Sequence, residues 1–265
     1  MRHLPIAALP LVVGLFATAA LVPRMASAAE CKYEAPRNLQ LDLAGVQSIR
    51  IEVHRHDLHV RGTTANGLTA TGRACASDRA ALDGLTINQR REGNQLLLDL
   101  GSQEGTAFHL LGNSYAYLDV SVQLPASLPV ILNVGSGDAD VTGVQQLQAQ
   151  VGSGDLHVRN IAGRFAASVG SGDVGADDVG ALEIGAVGSG DFKASGVRGD
   201  VRVGSIGSGD VQLRQVGGNV RADTMGSGDL VVDGVGGDFS LGAKGSGDVS
   251  HSGVKGKVSV PHDDD

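Results

Sequence analysis

The chain has 265 residues, of which 40 are glycine, and it carries a formal net charge of −8 with no tryptophan and only 3% aromatic residues. This acidic composition argues against nucleic acids and anionic lipids as partners, because both require Lys and Arg to neutralise phosphate groups. Because aromatic residues are few, the chain also has few side chains that could stack against sugar rings, as side chains in the clefts of sugar-processing enzymes do.

Residues 1–28 are predicted to be a signal peptide. Arg2 gives the positive start, residues 6–22 are apolar, and Ala26, Ser27 and Ala28 have the small side chains of a cleavage site. An uncleaved membrane anchor is the alternative, but two prolines interrupt a segment that would need about 20 unbroken apolar residues. The sequence therefore predicts export to the periplasm or cell surface, with no membrane span in the mature chain.

The mature chain has two cysteines, Cys31 and Cys75. In an oxidising compartment an even pair predicts a disulfide, which here would tie the mature N-terminus to the first part of the fold. A catalytic cysteine is the alternative, but the spacing offers no Cys-x-x-Cys pair for redox chemistry.

Residues 29–130 are expected to form a β-rich region that supplies either the first coils or a cap for the remainder of the chain. Ile49, Ile51 and Val53 alternate with polar residues, which is the period of a half-buried strand. One short helix is predicted over residues 77–82, with Ser77 as its N-cap, and residues 104–114 are predicted to be a loop.

Four residues of this region, His54, His56, Asp57 and His59, resemble a set of metal ligands. The strand alternation places the three histidines on the solvent side, so the expectation is an ordinary exposed surface without zinc.

Residues 131–260 contain a regular repeat. The tetrapeptide Gly-Ser-Gly-Asp occurs seven times, at intervals of 17 to 19 residues. Its glycines are Gly135, Gly137, Gly152, Gly154, Gly170, Gly172, Gly188, Gly190, Gly207, Gly209, Gly226, Gly228, Gly245 and Gly247. Such periodicity is typical of repeat proteins, in which each unit buries its apolar side by stacking on its neighbours.

Apolar residues recur at fixed distances from each motif aspartate. Positions one, three and six residues later are almost always aliphatic, and a second apolar pair follows before the next motif. Pairs two residues apart indicate short strands, and this glycine content would cost a helix about 1 kcal/mol per residue. The sequence therefore predicts an all-β, single-stranded β-solenoid with about 18–19 residues per coil, followed by an acidic tail at residues 261–265.

The motif itself is predicted to be the corner of each coil. Its glycines would adopt positive φ angles, while its Ser and Asp side chains would bond nearby backbone amides. Calcium binding is the alternative, because glycine-rich Asp turns bind Ca²⁺ in related rolls. The ligands would be Asp138, Asp155, Asp173, Asp191, Asp210, Asp229 and Asp248, but the opposite corner lacks recurring acids, so no cofactor or metal is expected.

An enzyme acting on polysaccharide is the other alternative. The outward position two residues after each motif Asp shows no recurring chemistry, being occupied by Asp140, His157, Gly175, Lys193, Gln212, Val231 and Ser250. No catalytic residues are therefore predicted. A hexapeptide acyltransferase helix is disfavoured because the drift in repeat length breaks a six-residue register.

The strand at Val120–Pro125 leading into Leu132–Asp138, followed by one Gly-Ser-Gly turn per coil, resembles the putative-adhesin families of exported bacterial β-strand-repeat proteins, including the head-GIN type. The resemblance implies a right-handed β-helix without a catalytic set and an adhesive role. The expectation is a non-enzymatic structural or adhesive module whose partner is a cell-surface glycan or envelope protein. Lys244, His251, Lys255 and Lys257 give the last coil a polar end, which favours a monomer.

Overall fold

The computed structural model describes residues 31–102 and 114–261. The first part of this range contains seven strands and one helix, in agreement with the β-rich prediction. They are β1 (Tyr33–Leu41), β2 (Ser48–His54), β3 (Asp57–Thr63), β4 (Leu68–Ala76), α1 (Arg79–Gly84), β5 (Leu85–Glu92), β6 (Gln95–Ser102) and β7 (Ala116–Pro125).

The repeat region forms the predicted solenoid, with two strands in each coil. Its strands are β8 (Val130–Val134), β9 (Ala139–Thr142), β10 (Leu147–Val151), β11 (Leu156–Val169), β12 (Val174–Val187), β13 (Phe192–Val197), β14 (Val201–Ile206), β15 (Val211–Val216), β16 (Val220–Met225), β17 (Leu230–Val235), β18 (Phe239–Lys244), β19 (Val249–Val254) and β20 (Val258–Ser259).

Equivalent strands of successive coils pair in parallel and build two ladders. Sheet 1 contains the strand that follows each motif, in the order β9, β11, β12, β13, β15, β17 and β19. Sheet 2 contains the second strand of each coil, in the order β8, β10, β11, β12, β14, β16, β18 and β20. β11 and β12 are long enough to turn the corner and belong to both sheets.

The inward side chains of both sheets share one apolar core. The aligned positions predicted from the repeat are buried there, and Phe165 packs against Phe192 with ring centroids 6.2 Å apart. Burial weakens in the last coil, where Val258 is 41% exposed. The alternation of the sequence thus identified the core correctly, because only side chains pointing between the two sheets leave water.

The N-terminal strands extend the same stack in an order that differs from the chain order. β2 pairs in parallel with β8 on one side and β6 on the other, while β3 lies in the same way between β9 and β7. The β2–β3 coil therefore stacks between the later β6–β7 coil and the first motif-bearing coil. Both sheets run without a break across residue 130.

Antiparallel strands close this end of the stack. β4 pairs with β7 and β1 with β4 on sheet 1, and β5 pairs with β6 on sheet 2. The N-terminal region thus supplies first coils and a cap together, which protects the backbone groups that a solenoid end would otherwise expose.

The short helix begins two residues later than predicted. Asp78, rather than Ser77, is the N-cap, since its carboxylate accepts a hydrogen bond from the Ala81 amide at 2.9 Å. The backbone amide of Ser77 instead donates a hydrogen bond to the Tyr115 carbonyl. The predicted loop at residues 104–114 lies, except for Ser114, outside the described residues.

In the part of the chain that the structure describes, no helix has the length and hydropathy needed to span a membrane.

Candidate functional site

The motif glycines are required by close stacking and not by positive φ angles, so that part of the prediction is wrong. None of the fourteen has a positive φ. A Cβ on Gly154 would overlap the carbonyl oxygen of Gly137, and the second glycine of every later motif meets the preceding coil in the same way. Only a residue without a side chain lets the backbones of successive corners approach this closely.

In the repeat region, the positive φ angles lie five residues after each motif aspartate. Four of the seven residues at this position are glycine, and the others have φ between 54° and 57°. The seven are Gly143, Asn160, Asp178, Gly196, Gln215, Gly234 and Gly253. Gly, Asn and Asp recur at this position because they adopt the left-handed conformation at a lower cost than other residues.

The motif aspartates form a ladder of hydrogen bonds to backbone. In each of six successive pairs, the Oδ1 atom accepts a hydrogen bond from the backbone amide of the motif aspartate one coil later, at 2.9 to 3.2 Å. Each of the first six motif carboxylates therefore satisfies a corner amide of the next coil, as predicted for the aspartates. The motif serine side chains make no such bond to a backbone amide in the described part of the chain, so that half of the prediction is wrong. Among the described residues no group of three or more His, Cys, Asp or Glu side chains is placed to hold a metal ion.

A second, shorter ladder occurs at the opposite corner. The Asp200 Oδ1 atom accepts from the Asn219 amide at 2.7 Å, the Asn219 Oδ1 atom from the Asp238 amide at 2.9 Å, and the Asp238 Oδ1 atom from the Lys257 amide at 2.8 Å. An asparagine serves here in the same role as an aspartate. The ladder thus needs an oxygen acceptor and not a negative charge.

This equivalence predicts how Asp210 responds to substitution. Asp210→Ala should lower the free energy of unfolding by about 1 kcal/mol, since the Asp229 amide loses its acceptor. Asp210→Asn should retain that stability, because the amide oxygen still accepts and one of a row of like charges is removed. Chemical denaturation of both variants measures the difference in the free energy of unfolding. Equal losses of stability in the two variants would contradict the stabilising role of the hydrogen-bond ladder.

The corner between β2 and β3 has the same structure as the motif corners, although its sequence is not Gly-Ser-Gly-Asp. The Ser136 amide donates to the His54 carbonyl at 2.7 Å, and the Leu58 amide donates to the Asp138 carbonyl at 2.9 Å. His54 to Asp57 therefore occupy the place of Gly-Ser-Gly-Asp one coil earlier. Burial and the neighbouring carboxylates of Asp138 and Asp119 raise the pKa of Asp57.

The structure separates the predicted histidine set. His54 and His59 are exposed as expected, with His54 Nε2 at 3.2 Å from Asp99 and His59 Nδ1 at 3.1 Å from Asp140. His56 was predicted to be exposed, and this is wrong, since it is only 1% exposed. The chain turns at His54, whose φ is 55°, so the strand alternation does not continue to His56.

His56 takes the place of a motif glycine and fills the interior at this corner. Its Nδ1 atom accepts a hydrogen bond from the Leu118 amide at 3.2 Å, which requires the neutral ring. Burial is the main reason that its pKa is lowered to about 4, with a further contribution from the charge on Arg55.

The predicted disulfide joins Cys31 to Cys75 across 44 residues of sequence. It links the start of the described chain to β4, next to the antiparallel pairing of β1 with β4. The bond therefore fastens the cap and not a reactive site.

The candidate binding site is a shallow depression on the outer face of sheet 2, with a volume of about 390 Å³. The depression forms because Ala166 and Ser168 have smaller side chains than Gln148 and Gln150 on the preceding coil, and because Gly185 on the next coil has none. Gln148 and Gln150 are the register neighbours of Ala166 and Ser168 on the preceding coil. The depression thus arises from the register of three strands.

Polar groups with free hydrogen-bonding capacity surround this depression. The side chains of Gln146, Gln148 and Gln150 make no hydrogen bond to any other described residue. Arg164 and Glu183, at the far side, form an ion pair with each other. Ile131 adds a half-buried apolar surface. Amides beside an apolar patch can hydrogen-bond hydroxyl groups while covering carbon atoms, which is the chemistry of a neutral sugar.

Several solved structures are similar to this chain in fold. A "putative lipid binding protein" from Parabacteroides distasonis is 18% identical, with a TM-score of 0.48 and coverage of 84% of this chain and 96% of that one. A "putative adhesin" from the same species is 12% identical (TM-score 0.42; 86% and 97% covered). Another from Bacteroides fragilis is 16% identical (TM-score 0.42; 87% and 98% covered).

No curated protein matches the sequence. The family model described as Toastrack DUF4097 matches residues 46–259, which include strands β2 to β20 and every copy of the corner motif. The chain therefore belongs to the Toastrack DUF4097 family.

Proposed function

We propose that this protein is a non-catalytic, exported adhesion module that binds a glycan of the cell surface or envelope through the depression on sheet 2. The observation that carries the proposal is the row of unpaired glutamine amides beside the half-buried apolar surface of Ile131. The ladder of motif aspartates runs through the coils of this face and holds their corner in place, so that binding costs little ordering of the protein.

The rest of the chain is consistent with export. Residues 1–28 have the pattern of a signal peptide, and a disulfide such as Cys31–Cys75 is stable in oxidising compartments. The polar last coil supports a monomer. The resemblance to head-GIN proteins supports the same adhesive role.

An enzyme acting on polysaccharide is the second candidate, because the same face could hold a sugar chain. Glycoside hydrolysis uses two carboxyl groups that flank the bond to be cleaved. Among the residues that line the depression, Glu183 is the acidic one, and it is engaged by Arg164. The geometry therefore supports binding better than cleavage.

A glycan panel with the purified mature protein tests the proposal. We expect a ligand whose binding is weakened about 30-fold in the double variant Gln148→Ala/Gln150→Ala, since each lost hydrogen bond is worth about 1 kcal/mol. Gln212→Ala, an outward glutamine on sheet 1, is the matched control and should bind normally.

Three results would contradict parts of this proposal. Absence of binding to every glycan would reject the function. Binding that the double variant leaves unchanged would reject the site. Release of shortened saccharides during incubation would favour the enzyme.

A further inference from the structure

A second cleft lies on the other sheet, at the coils nearest the cap. It has a volume of about 460 Å³ and is formed by outward side chains of β7, β3, β9 and β11. Six polar or charged residues that line it carry the inference, namely His59, Arg61, Gln123, Asp140, Thr142 and Arg159. Because these strands are consecutive in sheet 1, their side chains form rows about 4.8 Å apart.

Two arginines flank the centre of this cleft. Arg61 and Arg159 are the register neighbours of Thr142 on either side. Arg61 is exposed and makes no side-chain hydrogen bond or ion pair with any described residue. Arg159 approaches the nearest carboxylate, Asp140, only at 3.8 Å. Both guanidinium groups therefore retain donors that can be directed to a ligand.

Three acidic groups lie near the cleft, and two of them contact His59. Asp140 lies 3.1 Å from His59 Nδ1, and Asp119 lies 3.6 Å from His59 Nε2, so the histidine stands between the two carboxylates. Asp177 is the register neighbour of Arg159 on the next coil but forms no ion pair with it among the described residues. The residues that line the cleft thus include two arginines and one carboxylate, that of Asp140, on a chain that is acidic overall.

We infer that this cleft binds an oxyanion, a carboxylate or a sulfate, carried by an acidic saccharide. The planar fork of arginine matches such a group with two parallel hydrogen bonds, and long stems let both guanidinium groups reach an anion above Thr142. The Thr142 hydroxyl and the Gln123 amide supply partners for sugar hydroxyls. This site is separate from the depression on sheet 2 and does not depend on it.

Matched saccharides test the inference by isothermal titration calorimetry. Oligogalacturonate and a sulfated oligosaccharide supply the two oxyanions, and methyl-esterified oligogalacturonate supplies the same sugars without charge. We expect at least one charged probe to bind, with an affinity that falls as salt rises, and the ester to bind at least tenfold more weakly. The charged probe that binds identifies the oxyanion.

Variants locate the site. Arg61→Gln and Arg159→Gln should each weaken binding of the charged probe about tenfold, whereas Arg214→Gln, an exposed arginine farther along the same row of sheet 1, should not. The Gln148→Ala/Gln150→Ala variant should bind the charged probe normally, which separates this site from the one on sheet 2. Absence of binding to both charged probes, or equal affinity of the Arg61→Gln and Arg214→Gln variants, would overturn the inference.

Discussion

Replacing Gly190 by alanine should lower the free energy of unfolding by about 3 kcal/mol or more. The new methyl group would overlap the carbonyl oxygen of Gly172 in the preceding coil, and that oxygen belongs to backbone that cannot rotate away. Relief requires the two coils to separate at this corner, which lengthens the hydrogen bonds on which the stack depends. Overpacking of ordinary cores costs about 1–3 kcal/mol, and a rigid backbone neighbour places this case at the upper end.

A matched glycine shows whether the effect is steric. A Cβ on Gly67 would meet nothing within 4 Å, and the φ of Gly67 is not positive. Gly67→Ala should therefore change stability by less than about 0.5 kcal/mol, in either direction. Thermal and chemical unfolding, followed by far-UV circular dichroism, measure both variants. Similar behaviour of the two would show that the corner glycines are needed for some other reason.

The contact at Gly190 explains why the sequence predicts the role of the motif glycines only in part. Glycine-rich turns usually indicate positive φ, because that is what glycine allows locally. The requirement here is not local, since it depends on where the preceding coil places Gly172. The repeat in the sequence shows that glycine is needed at this position of every coil. It cannot show the distance to the neighbouring coil, because that distance is set only when the coils stack.

The order of the coils illustrates a second limit. Alternation at Ile49, Ile51 and Val53 correctly placed these residues in the core, because a strand has only two faces. It contained no information on which strands would become neighbours, and β2 is inserted between β6 and β8, both of which come later in the chain. Periodicity determines which way a side chain points and leaves strand pairing undetermined.

The depression on sheet 2 could not be predicted from the sequence for the same reason. Ala166, Ser168 and Gly185 are unremarkable in the sequence, and no motif includes them. They form a depression only because the register of β10, β11 and β12 brings them together beside Gln148 and Gln150. The outward positions counted from the motif lie on sheet 1, whereas the second strand of each coil supplies the face that holds the depression.

Acid should destabilise this protein through His56. The folded-state pKa is about 4, whereas the ring in the unfolded chain has the ordinary value of 6.5, so the unfolded state binds the proton more readily between these values. The contribution of His56 is therefore fully present above pH 6.5 and is lost progressively as the pH falls to about 4. A pKa difference of this size corresponds to about 3 kcal/mol in the free energy of unfolding.

The variant His56→Asn isolates this contribution. Asparagine can still accept the hydrogen bond from the Leu118 amide but does not titrate, so the variant should lose less stability than the wild type between about pH 7 and about pH 4.5. His157→Asn, a change at an exposed ring, is the matched control. The raised pKa of Asp57 acts in the opposite direction, because protonation of that carboxyl favours the folded state, and it remains in all three proteins. An unchanged slope in His56→Asn would mean that the buried ring is not the group that couples folding to acid.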